Sequence, residues 1–401
     1  NIGGNNTLAG FKGLQTLYLS GKAITSLNFS PLKNNPIYSL SVERAACRSM
    51  DLSPLKTCKL KVLSLKDCGV NSLNFQPLAT SPLHKLYVIN CPLKKIDVSP
   101  LKNTLTELWL GTLQNTYFWE EINHKQTKPK YQLLDLSKMK KLKRVYACGV
   151  ASLKTVKLKD TKTKQGIRSL LELHLYGTGI RTLDATAAKN LKRLFVGDRI
   201  RKLTVDKCKK LKEIGVINLG SKQAATIKSS SVQHIQYQGK TLKKLSFSKC
   251  PKLYTLSIKC TKVGTVNLRS NKRLHYMTLN SKKTGKVVYP KVSTKGWHDC
   301  CDLVETNYYK NLDEYKNDPD AKGVYKEYVG YILEYPTKIL DISAWTSFNK
   351  TVKRCMFGYG DFDHEKCATK KIIINKKLRK ADKKWIKKFA KKWHVKVVEK
   401  L

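Results

Sequence analysis

Acidic residues are scarce in this chain of 401 residues. Asp and Glu total 29 against 78 Lys and Arg, so the formal net charge is +49. A field of that size attracts polyanions at modest salt concentrations. Arginine, which grips phosphates and base edges with paired hydrogen bonds, is scarce as well and supplies only 12 of the basic residues. The charge therefore favours non-specific attraction to anionic surfaces over sequence-specific recognition of nucleic acid, which remains an alternative.

Long hydrophobic runs and the common enzyme motifs are also missing. No stretch approaches the roughly 18 consecutive apolar residues that a membrane-spanning helix needs. The motifs of zinc proteases, serine hydrolases and P-loop nucleotide-binding proteins are absent, and no pair of carboxylates has a spacing typical of acid–base catalysis. We therefore expect a protein that is neither an enzyme nor transmembrane and that carries no cofactor.

Leucine-rich triplets recur at a nearly constant interval. The first five triplets begin at Leu14, Ile37, Leu60, Leu83 and Leu105, so successive triplets lie 23, 23, 23 and 22 residues apart. Later ones step by 21, 20, 21, 21 and 21 residues and begin at Leu170, Leu191, Leu211, Val232, Leu253 and Leu274. Because one such coil cannot bury its own apolar edge, the sequence predicts a stack of coils around a shared core.

The repeat has a recognisable consensus. L-x-x-L-x-L-x-x-N/C-x-L is matched from Leu60 to Val70 and from Leu83 to Leu93, and a short return such as Leu73 to Leu78 follows. On these residues the chain resembles the leucine-rich-repeat family, especially its bacterial extracellular, internalin-like members. The resemblance implies an α/β-type solenoid, a horseshoe with a parallel β-sheet on its concave face and mostly non-helical return segments. It also implies recognition of a partner on that face and an extracellular or cell-surface location. A first residue of Asn1 and not Met is compatible with a removed secretory signal.

Two interruptions divide the predicted array. We expect a solenoid over residues 1–289 with an inserted loop at 113–131. The tyrosine-rich, acidic stretch 290–338 is predicted to be a helical insertion, with helices near 302–316 and 321–334. Residues 339–401 are predicted to hold resumed repeats and a strand–helix–strand cap, in which Trp385, Ile386, Phe389 and Trp393 have helical spacing.

The 12 cysteines fit packing better than chemistry. Cys68 and Cys91 occupy the Asn/Cys position of the consensus, and Cys208 and Cys250 replace a core leucine, so buried free thiols are expected in preference to disulfides. The paired C-x-x-C spacing of zinc sites is missing, and we predict no metal site. The remaining candidates for zinc, or for a bridge from Cys300 or Cys301 to Cys367, are Cys300, Cys301, Cys355 and Cys367 beside His298 and His364.

One position in each strand template lies between two core residues and points away from the core. We call it the central outward position. Along the middle repeats it is aromatic, and strands spaced about 4.8 Å apart would align the rings into a row about 20 Å long. Charged residues stand two positions earlier. The predicted ligand-binding residues are Tyr87, Trp109, Tyr146, His174 and Phe195, flanked by Glu107, Arg144, Glu172 and Arg193.

An aromatic row has two explanations. Tyr and Trp supply contact area for recognition at low conformational cost, but aromatics also favour strands and pack along a ladder without any ligand. Our first hypothesis is a secreted or surface-attached bacterial protein that binds a protein or glycan on this face, while its basic exterior favours an anionic cell-wall polymer. The alternatives are a general polyanion or nucleic-acid binder and a structural surface-layer component.

Overall fold

A computed structural model describes residues 11–112, 129–197, 199–218, 227–291, 308–309, 326–327, 330–333, 337–348 and 369–400. The chain forms two compact units, unit 1 at Asn1–Leu211 and unit 2 at Lys212–Leu401. Each unit is described by itself below. Both are built from parallel strands that lie one repeat apart.

Unit 1 contains one main sheet and two short strand pairs. Its strands in chain order are β1 (Thr16–Ser20), β2 (Ser39–Glu43), β3 (Val62–Lys66), β4 (Lys85–Ile89), β5 (Glu107–Gly111), β6 (Leu133–Asp135), β7 (Arg144–Cys148), β8 (Thr155–Lys157), β9 (Glu172–Leu175), β10 (Thr182–Asp184), β11 (Arg193–Gly197) and β12 (Lys202–Thr204). The main sheet has the order β1-β2-β3-β4-β5-β7-β9-β11. On the return side β6 pairs with β8, and β10 pairs with β12.

The strand register follows the leucine repeat. Leu40, Leu63 and Leu86 are paired across β2, β3 and β4, and all three are fully buried. One parallel strand per repeat over a continuous leucine core is the leucine-rich-repeat architecture. The predicted parallel sheet and mostly non-helical return segments are thus confirmed within each unit.

The return segments are set by local hydrogen bonds. In the first repeats they contain short 3-10 helices, each with proline in its first turn, at Ser30–Leu32, Ser53–Thr57, Gln76–Leu78 and Ser99–Leu101. An Asn or Asp side chain begins each one by accepting the backbone N–H two residues later, as Asp97 does from Ser99 at 2.9 Å. This turn reverses the chain and directs Leu101 back into the core.

Unit 2 continues the repeat with longer strands. They are β13 (Glu213–Asn218), β14 (His234–Ser246), β15 (Thr255–Asn267), β16 (Tyr276–Val288), β17 (Tyr308–Tyr309), β18 (Lys326–Glu327), β19 (Gly330–Leu333), β20 (Thr337–Asp341), β21 (Lys371–Asn375) and β22 (Lys396–Lys400). The sheet order is β13-β14-β15-β16-β20-β21-β22, and β19 also pairs with β16. Helix α1 spans Lys380–Lys392.

Strands β14, β15 and β16 run through both halves of a repeat, which the sequence did not predict. Their return halves lack the proline turn of the first repeats and contain β-branched residues such as Val263 and Val266, which favour an extended chain. The strands also approach closely. A Cβ atom added to Gly285 would lie 2.3 Å from the carbonyl oxygen of Gly264, so only glycine fits there.

The structure describes only short parts of residues 290–338, and the described parts of the two predicted helices are strands. β17 and β18 pair with each other, and β19 pairs with the first half of β16. The segment around β19 has Tyr331, Ile332 and Leu333 in succession, and pairing with a neighbouring strand satisfies its backbone where the sequence pattern favoured a helix. Most of the rest of the predicted insertion and residues 113–128 of the inserted loop lie outside the described residues, as do residues 349–368 of the predicted resumed repeats.

The strand–helix–strand cap is confirmed as β21, α1 and β22. Ile386 of α1 is fully buried, and so is the carboxylate of Asp382 in the first turn. That carboxylate accepts the backbone N–H of Phe348 at 3.3 Å and two hydrogen bonds from Arg379 at 3.0 Å. The start of the helix is thereby attached to the segment that follows β20.

The described cysteines are packing residues, as predicted. All eight are buried, and none forms a disulfide among the described residues; they are at positions 47, 58, 68, 91, 148, 208, 250 and 260. Five of their thiols contact backbone carbonyls of the preceding coil, as Cys208 does with Ala185 at 3.1 Å, and Cys148 contacts the His174 carbonyl of the following coil. The cysteine and histidine candidates between 298 and 367 lie outside the described residues. In the part of the chain that is described, no helix has the length and apolar character needed to cross a bilayer.

Candidate binding surface on unit 1

The five predicted aromatic side chains form one stacked row on the outward face of the unit 1 sheet. Successive ring centroids lie 5.9 Å apart from Tyr87 to Trp109, 4.0 Å from Trp109 to Tyr146, 4.4 Å from Tyr146 to His174 and 4.5 Å from His174 to Phe195. The register explains this row, because Trp109 pairs directly with Tyr146 across β5 and β7. The stacking is intact although a long segment of chain separates these two strands. We call the row the aromatic ladder.

The aromatic ladder is less exposed than the sequence predicts. Tyr87, Trp109 and Tyr146 are half-buried, whereas His174 and Phe195 are each only 7% exposed. Rings at this spacing cover one another's faces, and Tyr176 also packs its ring against His174 at 6.4 Å. The prediction of five solvent-facing rings is therefore wrong for His174 and Phe195, which form the buried end of the row.

Charges of alternating sign run beside the ladder. The register places Lys85 opposite Glu107, Glu107 opposite Arg144, Arg144 opposite Glu172 and Glu172 opposite Arg193. All four predicted flanking residues lie in this row, which we call the charge row. Lys85 was missed, although it occupies the same template position and the repeat register could have identified it. In so basic a chain, two carboxylates held between three cations form a specific electrostatic pattern.

Glu107 connects the two rows. Its carboxylate, 8% exposed, accepts hydrogen bonds from Trp109 Nε1 at 2.6 Å, Tyr87 Oη at 3.3 Å and Arg144 Nη2 at 2.6 Å. Burial raises the pKa of Glu107, but the hydrogen bonds from Arg144 and Trp109 outweigh it, so the pKa is below its usual value. Burial beside this carboxylate raises the pKa of Tyr87 to about 12. Both tyrosine and tryptophan are thus fixed in orientation.

Glu172 repeats the arrangement further along the sheet. Its carboxylate accepts the Tyr146 hydroxyl at 3.1 Å and lies 3.9 Å from Arg193. The pKa of Tyr146 is raised, first by burial and then by the negative charge of Glu172. His174 Nε2 is 3.9 Å from Glu172, which is too far for a hydrogen bond.

His174 is a neutral imidazole. Burial, assisted by the charge of Arg193, lowers its pKa to about 3, and neither ring nitrogen has a hydrogen-bond partner among the described residues. The nearby Glu172 would favour protonation, but it does not compensate for the loss of water around the ring. The imidazole therefore lies in the stack as an uncharged flat ring at neutral pH.

The ladder ends at β3, where the central outward residues become small. Ser64 and Ser41 follow Tyr87, and beyond them Tyr18 is 57% exposed with its hydroxyl 2.7 Å from Glu43. The row therefore presents ring edges, hydroxyl groups and fixed charges next to the small side chains of Ser64 and Ser41. Such an arrangement suits recognition. The described residues contain no group of three side chains able to hold a metal ion.

A separate cleft of about 430 Å³ opens on the return side of unit 1. It contains none of the predicted site residues. Its lining includes Lys102, Lys138, Lys140 and Arg168 around Met139, together with Asp160. The aromatic ladder has the more specific chemistry, because its polar groups are fixed by hydrogen bonds whereas these basic side chains are exposed.

No family model and no curated protein matches the chain. Among solved structures, a leucine-rich-repeat protein of Leptospira interrogans is 16% identical with a TM-score of 0.48, covering 99% of this chain and 93% of that one. The functional domain of InlJ from Listeria monocytogenes, which includes a cysteine ladder, is 15% identical with a TM-score of 0.45, covering 90% and 74%. A leucine-rich-repeat protein from Bacteroides ovatus is 13% identical with a TM-score of 0.21, covering 79% and 92%. The structural neighbours are thus leucine-rich-repeat proteins, and the architecture of each unit rests on its own repeat register.

Proposed function

We propose that this chain is a non-enzymatic, secreted or cell-surface protein that binds a protein partner through the aromatic ladder and charge row of unit 1. The observation that carries the proposal is the hydrogen-bonded contact of the two rows at Glu107, which fixes Tyr87, Trp109 and Arg144 in place. A surface whose aromatic and arginine side chains are already ordered loses little conformational entropy on binding.

The ring stacking favours a protein over a glycan as the partner. A sugar ring packs on the flat face of an aromatic side chain, and between Trp109 and Phe195 those faces are covered at centroid distances of 4.0 to 4.5 Å. What remains outward are ring edges, which carry partial positive charge, and tyrosine hydroxyls. Backbone carbonyls, carboxylates and aromatic side chains of a protein are suitable partners for such groups. The alternating signs of the charge row would then determine orientation.

The test is a solid-phase array of purified cell-surface protein ectodomains and glycans, probed with the full chain. The double variant Trp109→Ala/Tyr146→Ala should lose its protein partner, because two central aromatic anchors contribute about 2 kcal/mol each, or on the order of a thousandfold in affinity. The double variant will also lose stability, since both rings are half-buried and stacked.

A control variant separates these two effects. Leu108→Ala lies on the same strand β5, but its side chain faces the core and is fully buried. It is expected to reduce stability by about 2–5 kcal/mol while binding at a temperature below its transition is retained. If Leu108→Ala loses binding as completely as the double variant, or if the double variant still binds, the ladder is only a packing device. If the wild-type chain binds only glycans on the array and no protein ectodomain, the ligand is a carbohydrate.

General polyanion binding is the second candidate, and the net charge of +49 favours it. Its affinity for DNA and heparin would fall steeply between 50 and 200 mM salt, by roughly a thousandfold for six or more phosphate contacts. The double variant would leave that binding unchanged. A titration at both salt concentrations therefore distinguishes the candidates.

A further inference from the structure

Positive charge is concentrated in the C-terminal cap of unit 2. Residues 369–400 carry thirteen lysines and one arginine against two carboxylates, a net charge of +12. About a quarter of the net charge of +49 thus lies in less than a tenth of the sequence. Helix α1 holds seven of these lysines within thirteen residues.

The lysines of α1 form one exposed face. Asp382, Ile386 and Ala390 are buried on the opposite face. Lys383 and Lys387 are paired with Glu399 at 2.9 and 3.6 Å. The exposed lysines at positions 384, 388, 391 and 392 have no carboxylate partner among the described residues. We call these four residues the free lysine face.

Aromatic side chains border the free lysine face. Trp385 and Phe389 lie one turn apart, are half-buried, and have ring centroids 5.6 Å apart. Trp393 continues the line at the end of the helix, with Lys392 Nζ 5.0 Å from its ring centroid. Trp385 also packs edge-to-face on the buried Phe348, with ring centroids 6.1 Å apart, while part of its side chain stays exposed. The pairing of lysine with tryptophan at one margin is typical of helices that lie on a lipid surface.

We propose that α1 docks flat on an anionic phospholipid bilayer, with the free lysine face at the lipid headgroups and the Trp385–Trp393 margin at the interface. The helix is about 20 Å long, which allows all four lysines to reach one plane of headgroups. Lysine, a hydrated point charge on a flexible stem, suits this diffuse attraction better than paired recognition of single phosphates. The margin favours a bilayer over a dissolved polyanion, since a polyanion offers no apolar layer for tryptophan.

Vesicle sedimentation tests the proposal with the full chain. Phosphatidylcholine vesicles with 30% phosphatidylglycerol should bind the protein, and pure phosphatidylcholine vesicles should not. Each lysine near an anionic membrane contributes about a fivefold gain in affinity, so glutamine at all four positions should weaken binding on the order of 500-fold. The matched control places four glutamines at exposed lysines of unit 1, namely Lys33, Lys56, Lys59 and Lys61. That control should bind nearly as tightly as the wild type.

Tryptophan fluorescence identifies the contacting surface. Brominated lipid should quench emission from the wild type, and Trp385→Phe together with Trp393→Phe should remove most of that quenching. The proposal is overturned if both glutamine variants bind vesicles equally, or if heparin competes fully and brominated lipid quenches nothing, which would indicate a polyanion site. Because the ladder variant Trp109→Ala/Tyr146→Ala leaves α1 intact, it should still bind vesicles, so this proposal and the proposed function can fail separately.

Discussion

Replacing His174 with phenylalanine should protect the protein against mild acid. The imidazole is 7% exposed, lies between Tyr146 and Phe195, and makes no hydrogen bond through either nitrogen in the part of the chain that the structure describes. Phenylalanine therefore removes no hydrogen bond and keeps a flat ring in the stack. At neutral pH the substitution should be nearly neutral or slightly stabilising.

The pH dependence follows from the lowered pKa of His174. The pKa is about 3 in the folded protein and 6.5 for an unperturbed histidine. Folding therefore opposes protonation, and the stability associated with the neutral ring is complete above pH 6.5 and is lost as the pH falls through 6.5 toward 3. At pH 4.5 the solution is two units below the pKa of the unfolded imidazole while the folded one is still neutral, so the loss is roughly 3 kcal/mol.

The assay compares urea midpoints at pH 7.5 and 4.5 for the wild type and His174→Phe. Other groups also titrate over this range, and taking the difference between the two proteins cancels them. His84→Phe, at an exposed position, controls for the loss of an imidazole. If the wild type and His174→Phe lose the same stability on acidification, the imidazole is not a buried neutral ring and the stacking account is wrong.

Three further substitutions test the contacts that organise each unit. Glu107→Gln should lower the free energy of unfolding by about 1–2 kcal/mol, since it weakens the charge-assisted hydrogen bonds to a half-exposed Arg144. Urea denaturation at pH 7 measures this change. An unchanged urea midpoint would contradict the role of Glu107. Gly285→Ala should lower the free energy of unfolding by about 1–3 kcal/mol, because the added Cβ would meet the Gly264 carbonyl. A thermal transition equal to that of the wild type would show that β15 and β16 can move apart without loss of stability. Asp382→Ala should lower the free energy of unfolding by about 2 kcal/mol by removing the buried acceptor for Arg379, which is itself exposed. Circular dichroism at 222 nm should show α1 of the variant unfolding at a lower urea concentration than in the wild type. Identical curves for the two proteins would argue against the attachment of α1 through Asp382.

Much of the candidate site could be predicted from the repeat alone. Once the inward leucines are assigned, the register is fixed, and a parallel ladder must place Trp109 beside Tyr146 and Glu107 beside Arg144. The repeat also predicted where the return segments lie and that the cysteines within it are buried. The roles of these residues in binding stay a prediction, since a stacked row serves packing as well as recognition.

Residues 330–333, within the helix expected at 321–334, show the limit of local pattern. The segment around Tyr331 and Leu333 contains tyrosines and acidic residues at spacings that suit a helix, yet Gly330–Leu333 pairs with β16. A neighbouring strand with unpaired backbone groups outweighs weak helix propensity. No local sequence window contains that neighbour.

The sequence by itself determined the periodic core, the parallel register and the alternation of charge along the outward face, because these depend on side-chain spacing within each repeat. Only the tertiary structure decided which aromatic rings stay in contact with water. Burial depends on what stacks on each ring from the next coil, and it left Trp109 half-exposed while it enclosed His174 and kept that imidazole neutral.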